Sequence, residues 1–68
     1  METKIKRAII EQKITQWEQQ RYSLELDVKV AKAVDDEPML ERVKKQLKTT
    51  IGALEILQAE LENEATVT

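Results

Sequence analysis

The chain has no cysteine, no histidine and no phenylalanine, and only one glycine, one proline, one tryptophan and one tyrosine among its 68 residues. Each absence removes a class of chemistry. Without cysteine there is no disulfide framework and no thiolate nucleophile, and without cysteine or histidine the usual zinc, copper and haem ligand sets are missing. A single glycine leaves no glycine-rich loop to cradle a phosphate. Ser, Thr and Tyr residues are present but lie beside no base that could activate them. The expectation is a protein that is not an enzyme and that carries no cofactor and no catalytic, cofactor-binding or metal site. Asp35, Asp36 and Glu37 are consecutive, so their side chains cannot all converge on one cation, and their spacing matches no calcium loop.

No long hydrophobic run exists either. Nothing approaches the length of a membrane span, and residues 1–10 mix Glu2, Lys4, Lys6 and Arg7 with apolar residues, unlike a signal peptide. These features predict a soluble, cytoplasmic protein with no membrane partner. The size and the cysteine-free composition suit a compact bacterial or phage reading frame.

What the chain does have is Glu, Lys, Gln, Leu, Ala and Ile in abundance, with 35% charged and 41% hydrophobic residues, the composition of long helices. The strong punctuation is Asp35-Asp36-Glu37-Pro38. Aspartate is a good N-cap and proline is tolerated in a first helical turn, so this tetrapeptide ends one helix and begins another. One helical-hairpin domain over residues 1–68 follows: a helix over about 3–34, a turn over about 35–37, a helix over about 37–64 and a frayed tail over 65–68.

Both segments carry a heptad stripe. In the first, Ile10, Ile14, Trp17, Arg21, Leu24, Val28 and Ala31 are spaced alternately four and three apart; in the second, Leu40, Val43, Leu47, Thr50, Leu54, Leu57 and Leu61 repeat the pattern. Folding the chain at the turn sets Ala31 opposite Leu40, Val28 opposite Val43, Leu24 opposite Leu47, Trp17 opposite Leu54, Ile14 opposite Leu57 and Ile10 opposite Leu61. One register satisfies every layer. It also places the two polar exceptions, Arg21 and Thr50, in the same layer, and one further step pairs Arg7 with Glu64. Arg21 is expected to reach the Thr50 hydroxyl and a carboxylate one turn away, Glu18 or Glu25, in a polar layer that sets register.

Charge agrees with the pairing. Residues 1–21 carry a net +2 beside residues 51–68 at −4, and residues 22–37 carry −3 beside residues 38–50 at +3. The predicted fold is therefore all-α, an antiparallel two-helix hairpin of coiled-coil type. One segment reads differently: Tyr22, Leu24, Leu26, Val28 and Val30 alternate with polar residues at a strand's period of two. A strand there would need an intermolecular partner, and no turn residue separates it from the helical pattern before it.

Taken as helix, that segment is apolar on two faces. Leu24, Val28 and Ala31 face the second helix while Tyr22, Leu26, Val30 and Ala33 point away from it, and Gly52, Ile56 and Ala59 do the same on the second helix. A chain this short exposes so much surface per residue that one small core seldom stabilises it alone. These outward residues are expected to meet copies of the chain or a protein partner not identified by the sequence, with a homodimeric four-helix bundle the simplest closed solution. The predicted role is a small homo-oligomeric interaction protein: an adaptor, a structural subunit or a regulator of a larger protein.

The alternative is an RNA- or DNA-binding helical-hairpin regulator acting along a bundle face. Lys4, Lys6, Arg7 and Lys13 crowd the start of the first helix, and Arg42, Lys44, Lys45 and Lys48 the start of the second. A net charge of −2 and a pI near 5.1 have the wrong sign for a phosphate footprint, which disfavours nucleic acid as a partner.

Overall fold

The structure, a computed structural model, describes residues 2–66, and of Ala65 and Thr66 only the backbone. It consists of two helices that pack against each other, α1 (Thr3–Ala33) and α2 (Glu37–Thr66), with no strand among the described residues. The alternating segment around Leu24 to Val30 is thus helical. Its polar residues continue the 3.6-residue period of the helix before it, and no sheet partner is present to reward extension.

The chain reverses in three residues. Val34 caps α1, its N–H donating to the Val30 carbonyl at 3.0 Å; the Asp35 N–H donates to Lys32 O at 3.3 Å and the Asp36 N–H to Ala31 O at 2.9 Å. This is the Schellman pattern, in which the residue after the cap adopts the left-handed conformation so that the last carbonyls of the helix are satisfied. Asp35 occupies that position with φ 61°. Asp36 then starts α2: its carboxylate Oδ1 accepts from the Met39 N–H at 3.1 Å and its carbonyl accepts from the Leu40 N–H at 3.0 Å. Pro38 sits in the first turn, where its missing N–H costs no helical bond.

At the far end α2 runs to Thr66, two residues beyond the expected limit of 64, so Ala65 and Thr66 are helical where a frayed tail is expected. Val67 and Thr68 lie outside the described residues.

The hairpin is a rod with principal extents of 51 × 14 × 14 Å and a radius of gyration of 15.5 Å. A compact globule of this length would measure about 11 Å. The core is accordingly one side chain thick. Leu24, Ala31, Val43 and Leu54 are buried, together with Thr50, and the seam positions Ile10, Ile14, Trp17, Arg21, Val28, Leu40, Leu47, Leu57 and Leu61 are half-buried. The burial follows the heptad positions because each helix can turn only one stripe toward its single neighbour. Among the described residues no helix is long and apolar enough to cross a membrane.

Candidate interaction surface

The polar layer matches its expected form at Glu18 and departs from it at Thr50. The Thr50 hydroxyl donates to the Gln46 carbonyl of its own helix at 2.9 Å, as Thr15 and Thr49 do to Glu11 O and Lys45 O at 3.1 and 3.3 Å. A threonine satisfied one turn back in this way can be buried, and Thr50 is, at 1% exposure. Arg21 does not reach it. Its guanidinium lies 3.8 Å from the Glu18 carboxylate, with both side chains more than two-fifths exposed. The long arginine stem covers the seam while the charge stays in water. At the open end Arg7 is exposed, with no ion pair to Glu64 among the described residues. Beside the polar layer, Trp17, Gln20, Gln46 and Thr50 line an open groove between the helices, too shallow to exclude water from a reaction.

The outward faces carry the chain's unexplained feature. Tyr22, Leu26, Val30 and Ala33 on α1, and Ile56 and Ala59 on α2, are all exposed, Tyr22 at 64% and Ile56 at 67%. Gly52 is half-buried, yet a Cβ built on it would meet nothing within 4 Å, so no helix of the hairpin approaches it closely.

Four further large apolar residues outside these faces are exposed, Ile5, Ile9, Val34 and Ile51, at 40–63%. The signal that finds two of them is in the spacing. Ile5, Ile9, Gln12, Gln16, Gln19, Ser23, Leu26, Val30 and Ala33 repeat at alternating intervals of four and three, as the seam does, and all nine are exposed. This second stripe lies on the far side of the helix from the first and contains no charged residue.

Widening it to the full back of α1 between Ile5 and Ala33 adds Ala8, Thr15, Tyr22 and Lys29, so a single charge stands among thirteen positions. On a two-helix hairpin surrounded by water that face should be rich in charge. The back of α2 is: over residues 38–66 the equivalent thirteen positions hold Glu41, Arg42, Lys45, Lys48, Glu55 and Glu62. The charges of α1 instead crowd the flanks of its seam, at Lys4, Glu11, Glu18, Glu25 and Lys32 on one side and Lys6, Lys13 and Asp27 on the other. Helix α1 is thus built with two low-charge faces and α2 with one.

The basic groups are split. Those at the start of α1 and those at the start of α2 lie at opposite ends of the 51 Å rod, because the helices run antiparallel. No protein-family model matches this chain, and no match is found among curated proteins or among solved structures.

Proposed function

We propose that the protein is a small homo-oligomeric helical interaction module, acting as an adaptor, structural subunit or regulator through helix packing. The observation that carries this reading is the exposure of Tyr22, Leu26 and Val30 on a helix whose other face already fills the hairpin seam. A helix with apolar stripes on opposite faces gains by covering both. Its mode of recognition is helix against helix, with anchors repeating three and four residues apart. The separation of the basic clusters, each beside acidic residues, favours a protein partner over a phosphate backbone.

The test is the mass in solution by size-exclusion chromatography with light scattering, across a dilution series, for the wild type and for Leu26→Asp. Leu26 is 42% exposed in the hairpin, so the substitution leaves the intramolecular core intact. The expected result is a wild-type dimer or larger assembly that the substitution dissociates. A folded wild-type monomer at every concentration overturns the proposal.

A further inference from the structure

We infer that a second copy of this chain covers the back of α1, and that the two α1 helices pair antiparallel about a two-fold axis between Gln16 and Gln19. The inference rests on the homo-oligomeric reading above and adds which helix, which direction and which register.

Three observations carry it. The first is the partition of charge. An interface between helices gains most where few charges must leave water, and the back of α1 holds one lysine in thirteen positions, whereas the back of α2 holds six charged residues, three of each sign.

The second is register. When the stripe is laid against itself in reverse, one alignment matches eight of its nine positions: Ile5 faces the partner's Val30, Ile9 the partner's Leu26, Gln12 the partner's Ser23 and Gln16 the partner's Gln19, and the two-fold repeats the four, while Ala33 falls at the rim opposite the partner's Glu2. Apolar layers fall on apolar layers at both ends, and amide and hydroxyl layers fall together in the middle, where Gln side chains can both donate and accept across the axis. The eight layers compare with the seven that hold the hairpin itself, so the contact is of similar length.

The third is the flank. In this alignment Lys6 lies beside the partner's Asp27, Lys13 beside the partner's Gln20 and Lys29 beside the partner's Ala8, with no like-charge contact. A parallel pairing loses the Lys6–Asp27 contacts and brings together two helix starts that each hold Lys4, Lys6, Arg7 and Lys13. The resulting assembly is a layer of four helices with the two α1 helices inside and the charged backs of α2 outside.

Because the chain has no native cysteine, a single introduced one carries a spin label cleanly. Three variants, Glu18→Cys, Lys32→Cys and Glu55→Cys, none of them on the stripe, are labelled separately and the distance between copies is measured by pulsed electron–electron resonance. At about 1.5 Å rise per residue, Glu18 sits close to the axis and Lys32 about 44 Å from its copy. Glu55, on the outer helix, is separated by three helix spacings and lies beyond about 30 Å from its copy. The expected result is a short Glu18 distance, within roughly 20 Å, with long distances at Lys32 and Glu55. Leu26→Asp should weaken the dimer at least about a hundredfold, since it sets an unpaired carboxylate into two symmetry-related apolar layers.

A short Lys32 distance shows parallel pairing and overturns the inference, as does a Glu55 distance shorter than the Glu18 distance, which puts α2 at the interface. Either outcome leaves the homo-oligomeric reading standing. A monomer in light scattering removes both.

Discussion

Asp35 is the one non-glycine residue with positive φ among the described residues, at 61°, and the hairpin turns on it. For an L-residue the left-handed conformation costs roughly 1–2 kcal/mol, less for aspartate than for residues without a short polar side chain, and glycine adopts it without penalty. Replacing Asp35 by Gly removes that cost but gives the unfolded chain more freedom, worth about 0.4–1 kcal/mol against folding. The net expectation is a gain of about 0.5–1 kcal/mol, which in a domain of this size raises Tm by about 2–8 °C. Asp35→Asn should change little, and it separates the conformational effect from the loss of a charge lying between the end of α1 and the start of α2. Asp35→Val, branched at Cβ, should lower stability by at least about 1 kcal/mol. The assay is thermal and urea unfolding followed by far-ultraviolet circular dichroism, at one protein concentration throughout because self-association moves Tm. A glycine variant melting at or below the wild type, or a valine variant equal to it, would refute the assignment of strain to this position.

Three more outcomes can be checked in the same way. Asp36→Ala removes the side-chain acceptor of the Met39 N–H and should cost about 1 kcal/mol, whereas Asp36→Asn should retain most of it. Gly52→Ala should raise stability by about 1 kcal/mol, since the new methyl group meets nothing within 4 Å; a lowered Tm would mean that another helix packs there and would contradict a dimer built on α1 alone. Arg21→Leu replaces a half-buried charged seam residue and should raise Tm while broadening the distribution of oligomer sizes, so an unchanged, homogeneous oligomer in light scattering would show that Arg21 does not select the assembly.

Much of this architecture follows from local rules that leave marks in a single chain. The alternating spacings of three and four, from Ile10 to Ala31 and from Leu40 to Leu61, require helices, because only that period turns all fourteen positions to one side. The Asp-Asp-Glu-Pro sequence requires the break between them, and the matched layers and complementary halves select the antiparallel direction. Even the second stripe of α1, from Ile5 to Ala33, is written in the spacing alone, although its meaning depends on knowing that the first stripe is already covered.

Other features depend on atoms that meet only when the helices pack. Thr50 has two ways to satisfy its hydroxyl, across the seam to Arg21 or back along its own helix to Gln46. The second costs no ordering of a long side chain, and it leaves Arg21 to reach water beside Glu18. The left-handed turn at Asp35 follows from the Schellman closure of α1, whose last carbonyls are satisfied only if the residue after the cap adopts positive φ, and not from residue preference alone, since glycine would serve better there. The exposure of Val34 and Ile51, which flank the seam without belonging to it, is likewise decided by how far the packed helices cover their own edges. Periodicity and charge specify which faces meet; the close packing of side chains of unequal length decides which groups find partners inside the hairpin and which are left at its surface.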